Sequence, residues 1–260
     1  MYIKLLQLQL KTLLEYRFAF FSQVLGIFIG YISTVIVYWL MFLRFDELNG
    51  WTFKETMYVY AFAALTINIA AIFFNHFKTM DQEIINGTFD KYLIRPHNVF
   101  FSYLISKFDV AEFANLFLSI AVLIYVIDVN HIHFTAVKIV FLFLGIIGAV
   151  LVNAGSLVLI GAVSFWTLKS ESLYDTILWP AQFLSYLPMG IFPKIIQVLF
   201  TFVLPFAFIS YYPSTITLDK VNILSAPGLA YSSIGIGIIF FLISLSVWNS
   251  GLKKYNGTGS

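Results

Sequence analysis

Long runs of apolar residues, separated by short polar segments, dominate this sequence. A helix needs about 20 predominantly apolar residues to cross a bilayer, so these runs predict six membrane-spanning helices. The runs are Phe18–Leu43, Thr56–Phe74, Phe113–Ile127, Val137–Phe165, Leu173–Leu187 and Leu229–Trp248. We expect Val99–Glu112 to extend the third span on its N-terminal side. The pattern predicts an all-α polytopic membrane protein with a single transmembrane domain over residues 1–260.

Residues 1–17 follow a different pattern from the spans. Apolar side chains recur at helical spacing there, with polar ones on the other faces, namely Ile3, Leu6, Leu10, Leu13 and Leu14 against Lys4, Gln7 and Lys11. Glu15 and Arg17 would be costly inside lipid. We therefore predict an amphipathic helix that lies in the membrane interface. A simple extension of the first span is the alternative.

Prolines concentrate in the C-terminal part of the chain, where six of the seven fall between residues 180 and 227. The segment between Pro188 and Pro213 is as apolar as a spanning helix, but Pro193 and Pro205 interrupt it. Broken backbone at membrane depth is tolerated only where protein or water covers it. The region 188–227 is therefore predicted to form re-entrant helices before the last span, packed against the bundle.

Composition excludes several classes of function. The chain is 60% hydrophobic and only 11% charged, whereas soluble domains are about half apolar and about a quarter charged. It contains no cysteine, which excludes thiol catalysis and cysteine-ligated zinc. Its Lys and Arg residues form no basic stripe, so we expect membrane lipid around the chain and no nucleic-acid partner.

The distribution of Lys and Arg predicts how the chain is oriented. With six spans and re-entrant helices, both termini and the segment 77–98 lie on one side of the membrane. Ten of the fifteen Lys and Arg residues fall on that side. Cytoplasmic segments carry the excess of positive charge, so both termini are predicted to be cytoplasmic.

The segment 77–98 is the most polar interruption between two apolar runs. It predicts a short helix over Met80–Asn86, with Thr79 as its cap and Gly87 as a left-handed residue at its end. Its apolar and acidic side chains are Met80, Ile84, Ile85, Phe89, Leu93 and Ile94, with Asp81 and Glu83. Such a short helix is unstable alone. Apolar side chains with an acidic rim indicate a docking element, and an ordinary amphipathic loop is the alternative.

The run from residue 85 to residue 96 reads INGTFDKYLIRP. Its key positions are Ile85, Gly87, Phe89, Asp90, Leu93, Ile94, Arg95 and Pro96. In composition and spacing this run resembles a signature in the first cytoplasmic loop of bacterial ABC exporter membrane subunits of the type-2 permease class. Two further stretches are similar to that family's extracellular re-entrant region and C-terminal end, namely Pro188, Pro193, Pro205 and Pro213 with their neighbours, and residues 248–255.

The resemblance implies a division of labour between subunits. Permeases of this class work as dimers, of identical or related chains, with a separate ATP-binding subunit on the cytoplasmic face. The residues expected to couple to that subunit are Met80, Asp81, Glu83, Ile84, Gly87, Phe89, Asp90, Leu93, Arg95 and Pro96. The sequence has no GxxxxGK[ST] phosphate loop, so ATP and Mg²⁺ are expected on the partner and no cofactor on this chain. The expected protein is a non-enzymatic exporter subunit in the bacterial cell membrane.

Two other groups of side chains are candidate functional residues. Asp109 and Glu112 share a helix face at i and i+3, either lining an inward vestibule or protruding into the cytoplasm. His131 and His133 would share one face of an extended strand, but they lack the third protein ligand typical of zinc sites. We therefore expect a polar tight turn there and no metal site.

Two alternative functions stay open on the residues alone. An integral-membrane enzyme acting on lipid-like substrates would place clustered acidic groups at the membrane face, for example to hold a cation. Asp81, Glu83 and Asp90 form no such array. An ATP-independent carrier or channel is the other alternative, and such a protein would work without an ATP-binding partner.

Overall fold

The computed structural model describes residues 17–94, 96–107, 112–224 and 226–255. All regular structure in these ranges is helical. Its main helices are α1 (Arg17–Arg44), α2 (Phe53–Phe74), α3 (Met80–Ile85), α4 (Val99–Leu104), α5 (Glu112–Val129), α6 (Ala136–Thr167), α7 (170–184), α8 (Lys194–Val203), α9 (Phe206–Thr217) and α10 (Ser233–Lys254). The predicted interfacial helix over 1–17 lies outside the described residues, except for Arg17 at the start of α1.

Five of these helices, α1, α2, α5, α6 and α10, are long and apolar enough to cross a membrane. They confirm the predicted all-α polytopic fold. The expected extension of the third span is wrong, because Val99–Leu104 forms a separate short helix that ends at Ile105. Its first turn is capped by the Asn98 carboxamide oxygen, which accepts from the backbone amide of Phe100. Helices α4 and α5 are therefore separate elements.

The predicted fifth span, Leu173–Leu187, corresponds to a shorter helix. In α7, four α-helical residues are followed by five π-helical and six α-helical ones. At its start, Ser170 Oγ accepts from the backbone amide of Asp81 in the polar loop. Beyond its end, the Gly190 carbonyl accepts from Asn49 Nδ2 in the turn between α1 and α2. The chain thus runs from the loop end of the bundle to the opposite end through α7 and an irregular segment.

Helices α8 and α9 form a bent pair at the end of the bundle opposite the polar loop. Their axes differ by 82° across the break at Pro205. Lys194, at the start of α8, lines a cavity with Asn49 of the α1–α2 turn. Asp219, just after α9, pairs with Lys138 near the start of α6, with 2.6 Å between Oδ2 and Nζ. Both ends of the pair therefore lie at one end of the bundle, which is the geometry of a re-entrant hairpin.

Four of the prolines in the region 188–227 occupy positions where a missing backbone donor costs little. Pro188 and Pro193 precede short helical segments as their N-cap residues. Pro205 lies at the break between the hairpin's two helices. Pro213 is the third residue of the α-helical segment Tyr211–Thr217, where the backbone amide has no partner within the helix. The prolines thus shape the hairpin without removing helical hydrogen bonds.

The closest helix contact in the bundle joins α6 and α10. Gly148 and Gly237 face each other, and a Cβ added to Gly237 would overlap the Gly148 carbonyl. A Cβ added to Gly148 would overlap the backbone of Ser233. Small residues permit such approach between membrane helices, which associate through packing rather than through the hydrophobic effect. This contact fixes α10, and with it the C-terminal end of the chain, against α6.

We predict that Gly237→Ala destabilises the protein by about 1–3 kcal/mol, because the added methyl group forces α6 and α10 apart. The matched control is Gly235→Ala in the same helix, where an added Cβ meets nothing within 4 Å. The melting temperatures of the detergent-purified variants measure the effect. A Gly237→Ala protein as stable as the Gly235→Ala protein would contradict the close packing of these helices.

Candidate functional site

The polar loop begins where α2 ends at Phe74. A 3₁₀ turn, Asn75–Thr79, leads directly into α3. The predicted cap by Thr79 is wrong, because its hydroxyl donates to the carbonyl of His76 and accepts no hydrogen bond from an α3 amide. The Thr79 backbone, with φ −104° and ψ 23°, also departs from the extended conformation of a typical capping residue. α3 is thus a continuation of the helical path from α2, and its position depends on that span.

Gly87 ends α3 as the sequence predicts. Its φ of +67° lies in the left-handed region, which glycine adopts without the steric cost of a Cβ. The Gly87 amide donates to the Ile84 carbonyl, and the Thr88 amide donates to the Glu83 carbonyl. These bonds satisfy the last carbonyls of the helix and turn the chain back toward the bundle.

Three apolar side chains of the loop are buried within the chain itself. Met80 and Phe89 are 0% exposed and Ile84 is 3% exposed. On the sequence alone, we expect these residues to contact a partner subunit. This expectation is corrected by their burial, because a partner cannot reach them while the loop is packed as described. They anchor the loop to the bundle.

Phe89 belongs to a cluster of rings that joins the loop to α4, α6 and α10. Its ring centroid lies 5.5 Å from that of Phe165 and 6.3 Å from that of Trp248, which is itself fully buried. Aromatic pairs of this kind contribute about 0.5–1.5 kcal/mol each beyond the area they bury. The members of this aromatic cluster are Phe77, Phe89, Tyr92, Phe100, Tyr103, Phe165, Trp248 and Tyr255.

Asp90, the acidic residue of the loop signature, is tied to the end of the last helix. The Tyr255 hydroxyl donates to Asp90 Oδ1 at 2.7 Å. A hydrogen bond to a charged group contributes about 1.5–3 kcal/mol. Both segments resemble the family in sequence, but nothing in their sequences predicts that they are in contact. Their separation of 165 positions leaves no local pattern that would reveal the contact.

The acidic residues of α3 do not form the predicted exposed rim. Asp81 is 6% exposed, and its carboxylate accepts from the backbone amides of Gln82 and Glu171. Glu83 is 8% exposed and pairs with Lys107 at 2.6 Å. The first carboxylate holds the start of α7 and the second holds the segment after α4. Both therefore brace the loop from within.

Tyr103 links α4 to the 3₁₀ turn before α3. Its hydroxyl donates to the His76 carbonyl at 3.2 Å, and His76 Nε2 lies 3.1 Å from the Tyr103 carbonyl oxygen. Burial is the main reason that the pKa of the Tyr103 hydroxyl is raised well above its ordinary value, and the nearby Glu83 carboxylate adds to the effect. The hydroxyl therefore stays protonated and acts as a donor.

The outer side of the loop carries apolar side chains that the chain itself does not cover. Ile85 is 60% exposed, Leu93 is 41% exposed and Ile94 is 85% exposed. We call these three residues the loop patch. Pro96 is also exposed, and Arg95 lies outside the described residues. An apolar patch on a polar loop is typical of a protein interaction site.

Of the two carboxylates predicted to line a vestibule, the structure describes only one. Asp109 lies outside the described residues. Glu112 begins α5, and its Oε2 accepts from Asn115 Nδ2 at 2.8 Å. The Asn115 carbonyl accepts from Asn68 of α2, which also donates to the Tyr31 hydroxyl of α1. Glu112 therefore lies at one end of a polar chain that joins three spans, and the vestibule stays a prediction.

The two histidines between α5 and α6 lie in a turn. His131 has a φ of +51°, and its amide donates to the Asp128 carbonyl. Both histidines are exposed. Within the ranges that the structure describes, no group of three or more His, Asp or Glu side chains is placed to hold a metal ion.

Together, the apolar spans, the anchored polar loop and the hairpin at the opposite end define a multi-pass helical membrane protein. Residues 28–259 match the family described as ABC-2 family transporter protein, and the chain belongs to that family. It is therefore the permease subunit of an ABC transporter and not an enzyme. Searches of curated proteins and of solved structures gave no significant match.

We predict that Ile84→Ala destabilises the permease by about 2–5 kcal/mol, because it leaves a cavity beneath the loop. The neighbouring Ile85→Ala is the matched control, since an exposed substitution usually changes stability by less than about 0.5 kcal/mol. Thermal unfolding in detergent compares the two variants. Equal losses, or a larger loss in Ile85→Ala, would contradict the description of Ile84 as the anchor.

Proposed function

We propose that this chain forms the translocation path of an ATP-driven exporter together with a second permease chain. A separate ATP-binding subunit docks on the loop patch of Ile85, Leu93 and Ile94. The single observation that carries this proposal is the division of the loop into two sides. Its inner side is packed into the aromatic cluster, and its outer side leaves three large apolar residues uncovered.

The loop is suited to transmit motion because its contacts lead directly to the spans. Phe89 touches the end of α6 through Phe165 and touches α10 through Trp248. Asp90 is bonded to Tyr255 at the end of α10. Packed interiors deform little and shift between discrete arrangements. A displacement of the loop patch would therefore move the inner ends of α6 and α10 as one body.

The chemistry of ATP belongs to the partner subunit in this proposal. The sequence of this chain has no GxxxxGK[ST] loop, the backbone cradle that binds nucleotide phosphates in P-loop proteins. ATP and Mg²⁺ would bind and react on the partner. The permease residues take no part in that chemistry. ATP binding and hydrolysis would change the affinity of the partner subunit for the loop patch, and this change in affinity would shift the permease between its conformations.

A second permease chain, identical or related, packs against α1 in this proposal. Only 6% of the apolar window of α1 is buried, compared with 67% of that of α2. Several large side chains project from α1, and Leu25, Phe28 and Ile29 are each at least half exposed. Packing of this helix against another chain would enclose a path between the two bundles.

The hairpin is the proposed outer part of the path. Polar groups line its contact with the bundle, where the Thr66 hydroxyl lies 3.4 Å from the Ile209 carbonyl and the Ser210 hydroxyl donates to the Ser185 carbonyl. Deeper in the bundle, the Gln182 carboxamide donates to Asn153 Oδ1. Phe206, Phe208 and Ile209 of the hairpin are also fully buried in the apolar core, so the hairpin would have to move as a unit when the path opens outward.

The loop end of the bundle is proposed to face the cytoplasm of a bacterial cell. At this end, Lys78, Lys253 and Lys254 form no ion pair with a carboxylate in the part of the chain that the structure describes. At the opposite end, Lys138 pairs with Asp219 and Lys220 pairs with Glu55. An excess of positive charge is retained on the cytoplasmic side of membrane proteins. Both termini would then be cytoplasmic.

The orientation is tested with single cysteines, because the natural chain contains none. We expect a membrane-impermeant maleimide added to intact cells to label cysteines at Glu47 and Asn222, which lie at the hairpin end. A cysteine at His97, in the loop, should react only after the cells are opened. Labelling of His97→Cys in intact cells, with protection of the other two, would reverse the proposed orientation.

Docking is tested by placing a charge in the loop patch. Ile85→Asp and Ile94→Asp should each weaken copurification of the ATP-binding subunit by tenfold or more, because an unpaired buried charge costs several kcal/mol. Membrane expression and thermal stability should be retained, since both side chains are exposed. Ile223→Asp, at an exposed position in the turn after α9, is the matched control. Undiminished copurification with both loop variants would contradict the proposed docking surface.

A further inference from the structure

A basic cavity beside the polar loop has no part in the proposed coupling. It has a volume of about 380 Å³. Two lysines, Lys78 and Lys107, line it together with Asn75, His76 and Thr79. The remaining wall is formed by the last turn of α2, including Ile72. The cavity is distinct from the loop patch, which lies on the outer side of the loop.

The cavity spans the border between the apolar bundle and the polar loop. α2 ends at Phe74, so Ile72 lies about 3 Å inside the end of the helix. Phe73 beside it is 40% exposed. The lysines follow just beyond the helix end. One wall of the cavity is therefore apolar and the other cationic, at the depth where a spanning helix leaves the hydrocarbon core.

The charge of the cavity is only partly neutralised by the protein. Lys107 pairs with Glu83 at 2.6 Å, and Lys91 is 3.7 Å from the same carboxylate. Lys78 lies over the ring of Tyr174, 5.1 Å from its centroid. In the described part of the chain, no carboxylate lies within ion-pair distance of Lys78. An ammonium held in this way retains donors for an anion.

We propose that this cavity binds the phosphate-bearing headgroup of an acidic membrane lipid. The phosphate accepts hydrogen bonds from Lys78 and Lys107, and the acyl chains run along the outer surface of α2, past Ala71 of the cavity wall and the exposed Phe73. Basic pockets between spans recognise acidic lipid headgroups in this way. The inference does not depend on ATP coupling, and only the choice of the cytoplasmic leaflet rests on the proposed orientation.

The position of the site beside Glu83 gives the lipid a structural consequence. Glu83 braces the loop through Lys107, and an anion in the cavity would share that lysine. The lipid would therefore join the end of α2, the loop and the segment after α4 at one point. A bound acidic lipid should raise the stability of the loop in its packed position.

Native mass spectrometry of the delipidated full chain in detergent tests the site. Dioctanoyl phosphatidylglycerol should bind more tightly than dioctanoyl phosphatidylcholine, which has the same acyl chains but no net charge. Lys78→Gln should weaken phosphatidylglycerol binding by about fivefold, the contribution expected of one basic residue. Lys78→Arg should keep the affinity within about twofold, because it keeps the charge. Lys253→Gln removes a lysine that does not line the cavity and should change nothing.

Two results would overturn the proposal. Equal binding of the two lipids, or an unchanged phosphatidylglycerol affinity in Lys78→Gln, would show that the cavity does not recognise the headgroup. Displacement of dioctanoyl phosphatidylglycerol by an equal concentration of inorganic phosphate would identify a site for a free anion, in which the acyl chains contribute nothing. Because Lys78 has no ion pair in the described structure, Lys78→Gln should fold normally, and its melting temperature without lipid checks this.

Discussion

Phe89 packs against Phe165 at the end of α6 and against Trp248 in α10, and the position of the whole polar loop depends on this contact. Helix α3 has only six residues, too few to be stable in water by itself. It packs onto the bundle because the side chains of Met80 and Ile84 in α3, and of Phe89 just after it, are buried in the core. Without that packing, the segment between α2 and α4 would have no fixed conformation, and therefore no fixed surface for a partner to bind.

The close approach of α6 and α10 at Gly148 and Gly237 supports this arrangement from within the membrane. It aligns the two helices whose ends supply Phe165 and Trp248. The hydrogen bond between Tyr255 and Asp90 then joins the end of α10 to the polar loop. Packing inside the bilayer and docking outside it are thus connected through one pair of helices. In the proposed function, this connection carries a displacement of the loop patch to the spans.

Much of this fold follows from local pattern. Apolar length predicts the long spans, and the prolines at 193 and 205 predict the hairpin. Gly87 predicts the left-handed turn that ends α3, because glycine is the usual residue in the left-handed conformation at the end of a helix. These features share one property. Each depends on residues that lie within about one helix length of one another in the sequence. Local composition and spacing are therefore enough to predict it.

The loop itself could be located from the sequence, but its two sides could not be distinguished. Periodicity placed Ile84 and Ile85 on one apolar surface, whereas the first is buried and the second exposed. The difference is decided by the bundle, above all by α6, against which α3 packs and which lies far away in the chain. The acidic residues were misplaced for the same reason, because their partners, Lys107 and the start of α7, come from other segments.

The central claim is that the loop and the inner end of α10 move together as one body. The distance between spin labels at Lys91 and Asn249 measures this most directly, in the transporter with and without a trapped nucleotide. Both residues are exposed, and neither belongs to the loop patch. The account predicts that this distance distribution stays the same in both states while the distance between the two Lys91 labels of a dimer changes. A shift or broadening of the Lys91–Asn249 distance on nucleotide trapping would contradict it.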